Sequence, residues 1–295
     1  AEQDFRLLTV RNASVTMADL SLSQGRAASG GGVLNDAGDL TIVDSSFTKN
    51  KATSSGGAVF NAAGSLTITD SSFSSNNASS SGGAIASEGA SAQLSMTGSS
   101  LSNNSAGSSG GAMAFLSGQG TLIGNTWSNN TSVGLVGGLL NVGAGVSLAN
   151  VTASGNSGAG IANIMGNMSL NNVTVAANDI GLSNFGVMTL RNSLIADNTT
   201  DCQGAFISQG FNLIQSAGCS LTGDLTGNVT GQAAALAALA DNGGGTQTHA
   251  IGGNSPARDA GDLALCETND QRGTPRPQSA TCDIGAYELT IPTTS

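Results

Sequence analysis

The chain has 295 residues and a formal net charge of −10, with only 9% charged and 3% aromatic residues. Its few basic residues form no patch, which makes nucleic acid and anionic membranes poor partners. No run of 18 apolar residues is present, so the sequence predicts no transmembrane segment. No signal peptide is visible in the sequence, and a start at Ala1 is what signal cleavage would leave, although a fragment boundary would look the same.

Residues 1 to about 25 resemble a degraded copy of a repeat that becomes clear further on. No helical pattern precedes them to cover the open end of a stack of strands. Such an end exposes unpaired backbone groups. We therefore expect either that residues 1–6 fold over this edge or that a second copy of the chain pairs with it, head to tail.

A repeat unit extends from residue 26 to about residue 200, and its clearest copies are residues 29–50, 55–76 and 81–104. Each copy holds three short segments of alternating apolar and polar residues, separated by Gly, Ser, Asn and Asp, which indicates strands and turns. One unit cannot bury its apolar side alone, but stacked units can. We predict an all-β fold, a right-handed parallel β-helix that forms a three-sheet solenoid.

Equivalent apolar positions of the repeat should form internal columns along this solenoid. The three predicted columns are Phe47, Phe73, Leu101, Trp127, Val175 and Ile195; Ile42, Ile68, Met96, Leu148, Leu170 and Leu190; and Val33, Val59, Ile85, Met113, Ile161 and Leu182.

Two turn columns consist of asparagine. The first contains Asn50, Asn76, Asn104, Asn130, Asn156, Asn178 and Asn198, and the second contains Asn35, Asn61, Asn141, Asn163 and Asn184. Stacked amides can bond to the coils above and below, and asparagine tolerates the left-handed backbone of tight corners. We predict that the first column is a structural Asn ladder. Its steps of 26, 28, 26, 26, 22 and 20 residues indicate that later coils are smaller.

The repeat also has a recognisable local signature. The sequence GGAV at residues 56–59 is paired with FSSN at residues 73–76. This pairing resembles the repeats of the polymorphic outer-membrane-protein family. The resemblance implies a β-helical protein of adhesin type, exposed on a bacterial surface.

All four cysteines, Cys202, Cys219, Cys266 and Cys282, follow the last clear repeat. Their spacing favours the pairs Cys202–Cys219 and Cys266–Cys282, although four cysteines allow three connectivities and four buried thiols are an alternative. Disulfides would brace the C-terminal region and indicate an oxidising compartment. A zinc site is not expected, because there is no Cys-x-x-Cys and His249 is the only histidine.

We divide the chain into β-helix coils at residues 1–232 and a C-terminal cap region at residues 233–295, packed on the same solenoid as one structural domain. Residues 232–240, QAAALAALA, are strong helix formers followed by a helix-stop sequence, Asp-Asn-Gly. They predict one short helix that covers part of the C-terminal end.

Residues 241–288 contain a distinctive series of residues: Asp241, Asn242, Gly243, Gly244, Thr246, Thr248, His249, Ser255, Pro256, Ala257, Asp259, Gly261, Asp270, Gln271, Arg272, Gly273, Arg276, Pro277, Cys282, Asp283, Ile284, Gly285, Ala286 and Glu288. At these positions the segment closely resembles the C-terminal region of the choice-of-anchor Q family of bacterial surface proteins. The resemblance implies an exported β-helix followed by a surface-anchoring tail, and it implies no agreed activity. The last residues of this chain match no anchor.

Two groups of charged residues are candidates for chemical sites. Asp19, Asp44 and Asp70 recur at one turn position and are a weak candidate for calcium, with a solvated turn as the alternative. The second group, predicted to form internal ion pairs rather than a catalytic centre, is Asp259, Asp270, Arg272, Arg276, Asp283 and Glu288. We assign no catalytic residue, no cofactor other than this possible calcium, and no other metal.

The sequence therefore predicts a secreted or cell-surface protein that is structural or adhesive rather than enzymatic. Its expected partners are a second copy, joined end to end through the N-terminal coil into fibres, and glycans or the surface of a host or neighbouring cell. The alternative is a β-helix that binds or degrades polysaccharide, as a lyase or hydrolase, which needs paired carboxylates and a basic residue in one groove.

Overall fold

The computed structural model describes residues 5–290, and within this range the protein is all-β. The described residues form 31 strands and no helix. Equivalent repeat positions pair in parallel from one coil to the next, for example Phe47 opposite Phe73 and Ile42 opposite Ile68. The parallel β-helix predicted from the repeat is confirmed.

The larger coils extend to residue 132. Their strands are β1 (Leu8–Arg11), β2 (Ser14–Ala18), β3 (Ser21–Ser23), β4 (Arg26–Ala27), β5 (Val33–Val43), β6 (Ser46–Thr48), β7 (Lys51–Ala52), β8 (Val59–Thr69), β9 (Ser72–Ser74), β10 (Asn77–Ala78), β11 (Ile85–Ser87), β12 (Gln93–Thr97), β13 (Ser100–Ser102), β14 (Ser105–Ala106), β15 (Met113–Phe115), β16 (Gln119–Ile123), β17 (Thr126–Ser128) and β18 (Thr131–Ser132).

The smaller coils follow. Their strands are β19 (Val136–Asn141), β20 (Gly145–Ala149), β21 (Thr152–Ser154), β22 (Ala159–Asn163), β23 (Asn167–Asn171), β24 (Thr174–Ala176), β25 (Ile180–Asn184), β26 (Val187–Arg191), β27 (Leu194–Ala196), β28 (Thr200–Gln209), β29 (Leu213–Ile214), β30 (Ser220–Asp224) and β31 (Val229–Thr230).

These strands form three sheets. A 16-stranded sheet covers two faces of the solenoid, because β5, β8 and β28 are long enough to continue from one face to the next. We call the stack with β1, β11, β15, β19, β22 and β25 the first face, and the stack with β2, β12, β16, β20, β23 and β26 the second face. The third face is the ten-stranded sheet from β3 to β31. The two-residue strands β4, β7, β10, β14 and β18 form a small corner sheet.

The core lies between the three faces and includes the predicted columns, together with a further column on the second face that contains Leu40, Leu66, Leu94, Val146, Met168 and Met188. All the predicted column residues are buried, and Phe47 and Phe73 stack with ring centroids 4.7 Å apart. The third-face column also includes Ala153, which lies opposite Trp127. The small side chain of Ala153 leaves space for the large side chain of Trp127, so the core stays closely packed across these two coils.

The corner sheet accounts for the change in repeat length. Its last strand, β18, ends at Ser132. In later coils the chain passes from the ladder asparagine to the first face without such a strand, and the step falls from 26 to 22 and then 20 residues. The later coils are smaller because they lack one short side.

The short helix predicted at residues 232–240 is wrong. Ala235 has a φ of 54°, and the backbone N–H of Ala237 donates to the carbonyl of Ala250 instead of to a helical turn. The N–H of Ala240 likewise donates to Thr248. An isolated helix of this length is marginal in water, so pairing and packing with the rest of the fold override its helix propensity.

The C-terminal region does not lie only across the end of the solenoid. Residues 233–290, which we call the strap, lie along the outer side of the third face. Thr246 bonds to Gly124 and Gln271 bonds to Thr126, contacts more than a hundred residues apart in the sequence. The strap has its own apolar cluster against the third face, made of Leu194, Ala196, Leu213, Ala234, Ile251, Ala257 and Ile284.

Two disulfides brace the C-terminal part of the chain. Cys202 is bonded to Cys219, and Cys266 is bonded to Cys282. The first links β28 to the segment before β30, and the second closes a loop within the strap. These are the pairs that the spacing favoured, and among the described residues no cysteine is free.

Candidate functional site: corner ladders, strap and open faces

The Asn ladder is continuous over seven coils. Each side-chain amide donates from Nδ2 to the Oδ1 of the next asparagine at 2.9–3.0 Å, from Asn50 through to Asn198. Each Oδ1 also accepts the backbone N–H of the preceding ladder residue. The last amide donates to the carboxylate of Asp201. These residues hold the corners of the fold and face no solvent-filled site.

The second Asn column is interrupted. Asn35 bonds to Asn61 at 2.8 Å, and Asn141 bonds to Asn163 at 3.0 Å. Between these pairs the register places Ser87 and the buried ring of Phe115 in the same column. This column is therefore two short ladders separated by an apolar position.

A third polar ladder was missed in the sequence. The backbone N–H of Ser45 donates to Ser71 Oγ at 3.1 Å, that of Ser71 donates to Ser99 Oγ, and that of Ser99 donates to Asn125 Oδ1. The sequence contains a signal for this ladder, because Ser or Asn directly follows the same turn position in four successive coils. The pairs are Asp44-Ser45, Asp70-Ser71, Gly98-Ser99 and Gly124-Asn125.

The acidic turn position is a backbone requirement of the corner. Asp19, Asp44 and Asp70 have φ angles of 54°, 45° and 47°. The same column continues with left-handed Gly98, Gly124, Asn150, Asn172 and Asn192. Asp, Asn and Gly are the residues that adopt this conformation most readily. The change from Asp70 to Gly98 therefore preserves the corner although it ends the acidic series.

The strap binds the C-terminal half of this column. Asn150 Nδ2 donates to the carbonyl of Asn269 at 2.8 Å. Asn172 Oδ1 accepts the N–H of Glu267, and Asn192 Oδ1 accepts the N–H of Asp262 at 2.8 Å. The corner amides thus hold the backbone of residues 262–269, which turn at 263–265 and then follow the column from coil to coil.

The outward side chains of the third face also bind the strap. Thr126 donates to the carbonyl of Gln247 at 2.6 Å, and Thr152 donates to Gln271 Oε1 at 2.6 Å. Thr174 Oγ1 accepts the N–H of Ala286 at 2.9 Å. Corner column and hydroxyl column together form a track for an extended polypeptide.

The charged cluster of the strap is internal. Arg272 pairs with Asp270 at 2.7 Å and lies 3.7 Å from the centre of the Tyr287 ring. Arg276 pairs with Glu288 at 3.7 Å, and both side chains are only 1% exposed. Arg276 also donates to the carbonyls of Asp283 and Gly285.

Burial shifts the titration of this cluster. Desolvation lowers the pKa of Arg276, and the neighbouring carboxylates, Glu288 first, oppose that shift. Desolvation raises the pKa of Asp283 and of Glu288, although each carboxylate accepts backbone N–H groups that favour its charged form. The arrangement positions the strap, and Asp270 also lines a cavity of about 290 Å³ between the strap and the corner of Gly124 and Asn150.

His249 is a neutral link between strap and solenoid. Its Nδ1 lies 2.7 Å from the carbonyl of Ala237, so Nδ1 carries the proton, and its Nε2 accepts a bond from Ser154 Oγ at 2.9 Å. Desolvation lowers the pKa of His249, partly opposed by the bond to Ala237 and the charge of Asp197.

We expect acid to weaken the strap through His249. Because its folded pKa lies below the ordinary value of about 6.5, the stability that depends on neutral His249 is present above that value and is lost as the pH falls below it. The free energy of unfolding can fall by at most about 1.4 kcal/mol per pH unit through this one group. The protection factors of the Ala237 and Thr248 amides, which correct the exchange rates for the pH dependence of intrinsic exchange, should fall between pH 7.5 and pH 5. His249→Gln should remove this dependence, and equal pH dependence in both proteins would contradict the assignment.

The acidic corner opens into a groove on the uncovered half of the third face. Its volume is about 410 Å³, and it extends from the coil of Asp19 to Gly245 of the strap. Asp19, Asp44 and Asp70 are exposed along it. None of the residues that line it is Arg, Lys or His. Within residues 5–290, no three His, Cys, Asp or Glu side chains converge to hold a metal ion.

The second face is an open polar sheet. A column of hydroxyl groups crosses eight of its strands, and the register aligns Thr16, Thr41, Thr67, Ser95, Thr121, Ser147, Ser169 and Thr189. A shallow hollow of about 480 Å³ lies over the column near Thr121 and Ser147. A smaller one of about 210 Å³ adjoins it, between Arg191 and Glu267.

Comparison with models of protein families, with curated proteins and with solved structures found no match to this chain. Over residues 5–290, no helix is long and apolar enough to cross a membrane.

Proposed function

We propose that this chain is an exported structural or adhesive protein of a cell surface, and that it acts through its open lateral faces. The observation that carries the proposal is the hydroxyl column of the second face, repeated at about 4.8 Å from coil to coil. A rigid face with one repeated polar group suits a ligand that is itself repetitive, such as a glycan chain. The disulfides support an oxidising location outside the cytoplasm.

The resemblances of the repeat and of residues 241–288 to bacterial surface families support the same proposal. They imply export and surface display, and they imply no set of catalytic residues. The acidic groove supports the polysaccharide-degrading alternative only in part, because it supplies carboxylates without a basic residue among those that line it.

End-to-end assembly remains part of the proposal. The surface available for it at the N-terminal end is smaller than the sequence analysis predicts. Phe5 pairs with Arg26 on the outer edge of the corner sheet, and Arg6 donates to the carbonyls of Ser29 and Gly30. Residues 1–4, which belong to the segment expected to fold over the edge, lie outside the described residues. Strands β1, β2 and β3 each pair with one described strand only, so a second copy would join there.

A glycan array probed with the oxidised protein tests the adhesive function. We expect binding to a repetitive glycan that falls at least tenfold in the double variant Thr121→Lys/Ser147→Lys, because two long cations would cover the hydroxyl column. The matched control is Ser75→Lys/Asn103→Lys. It adds the same charge at a corner where Lys49 already occupies the equivalent left-handed position.

Electron microscopy of the same preparation, as a concentration series, tests assembly and should show filaments. Equal loss of binding in both double variants would contradict recognition by the second face. Absence of glycan binding together with isolated rods would overturn the proposal. Release of new reducing ends from a bound polysaccharide would establish the degrading alternative.

A further inference from the structure

The third face has a covered half and an open half that share one architecture. From β17 to β29 its outward residues are buried under the strap, as Thr126, Thr152 and Thr174 illustrate. From β3 to β13 the equivalent outward residues, such as Ser46 and Ser72, are open to solvent or partly so. The register runs unbroken from one half to the other.

The open half keeps the two columns that hold the strap in the covered half. Outward hydroxyls continue as Ser21, Ser46, Ser72 and Ser100, and the left-handed corner continues as aspartate in place of asparagine. Aspartate retains the acceptor oxygens that the corner asparagines offer to backbone N–H groups of the strap. The groove over these columns ends at Gly245 of the strap, so it continues an interface already in use.

We infer that the open half of the third face is a docking track for an extended, basic polypeptide segment of a partner protein. The segment would lie along the solenoid axis as the strap does, with backbone groups bonded to the hydroxyl column and cationic side chains at the acidic corner. Charge complementarity selects the basic segment. Three exposed carboxylates line the groove, no cation accompanies them there, and the chain as a whole carries a net charge of −10.

The spacing also fits such a segment. Carboxylates on successive coils are about 4.8 Å apart, and alternate side chains of an extended chain are about 6.7 Å apart. Arginine side chains at alternate positions are long and flexible enough to span this difference. The Asp70 carboxylate fills the space that a Cβ at position 98 would occupy, so the glycine at this corner lets the carboxylate extend over the next coil.

Fluorescence anisotropy with a labelled peptide, Gly-Arg-Thr-Arg-Thr-Arg-Gly, tests the track. We expect saturable binding that weakens at least tenfold in the triple variant Asp19→Asn/Asp44→Asn/Asp70→Asn. Asparagine occupies the equivalent left-handed positions at Asn150, Asn172 and Asn192, so this variant keeps the corner geometry. Ser72→Tyr, which blocks the exposed floor of the groove without changing charge, should weaken binding to a similar extent.

The matched control removes three charges elsewhere, with Asp39→Asn/Glu88→Gln/Asp224→Asn at exposed sites. Binding within about twofold of wild type in this control, with loss in the two groove variants, supports the track. Equal weakening in both triple variants would show general charge attraction and overturn it. Absence of binding at millimolar peptide, or binding unaffected by Ser72→Tyr, would overturn it as well.

Discussion

Replacing Asn104 by alanine should lower the free energy of unfolding by about 3 kcal/mol, because each buried polar group left without a partner costs about 1–3 kcal/mol. Asn104 Oδ1 accepts both the backbone N–H and the Nδ2 of Asn76, and its Nδ2 donates to Phe73 and Asn130. Asn104 has no exposed surface, so water cannot replace these bonds. Truncation therefore breaks the ladder in the middle of its length.

Denaturant titration followed by Trp127 fluorescence measures this effect. Trp127 is fully buried one coil further along the same face, so its emission reports on the ladder region. Asn77→Ala, one residue after a ladder position and only partly buried, is the matched control and should change the free energy of unfolding by less than about 0.5 kcal/mol. Equal effects of the two substitutions would mean that a ladder asparagine contributes no more to the stability than an ordinary polar residue in a turn.

Replacing Arg276 by methionine should release the strap and lower the free energy of unfolding by about 3–5 kcal/mol. This is the usual effect of removing one member of a buried ion pair and leaving the other charge unpaired. The substitution leaves Glu288 without its charge partner and removes the shorter of the two hydrogen bonds to each of the carbonyls of Asp283 and Gly285, which keep only their longer bonds from Asn172. Hydrogen exchange should accelerate in residues 262–290, while the ladder amides of the first coils keep their protection.

Arg258→Met is the matched control, because Arg258 also pairs with a strap carboxylate, Asp259, but both side chains are partly exposed. We expect a loss below about 1 kcal/mol there. The double variant Arg276→Met/Glu288→Gln should recover part of the stability lost in Arg276→Met, since the unpaired charge is gone. No recovery would indicate that packing of the arginine stem, rather than its charge, holds the strap.

The solenoid was predictable because its information is local and repeated. A column such as Ile42, Ile68 and Met96 is visible as one apolar position between polar neighbours, once per unit. The composition of residues 232–240 alone does not show that the predicted helix fails to form. The backbone partners of this segment are residues 248–250, and only the folded strap brings them alongside.

The placement of the strap could not be read from the sequence for the same reason. Gln271 contacts Asn125, Thr126 and Thr152, which lie more than a hundred residues earlier and carry no mark of that contact in their own repeats. The acidic corner, by contrast, was visible as a column. Its physical meaning became clear only from the φ angles, which relate Asp44 to Gly98 and to Asn150.

The strap also divides the rod into two mechanical regimes. Each early coil is bonded chiefly to the coils on either side, so a pulling force at the N-terminus would peel these coils off one at a time, at low force. At the coil of Gly124 the force would meet the strap, whose contacts with Gly124, Thr152 and Thr174 join several coils in parallel. Those bonds would have to rupture together, so under tension the protein has a compliant N-terminal half and a stiff C-terminal half.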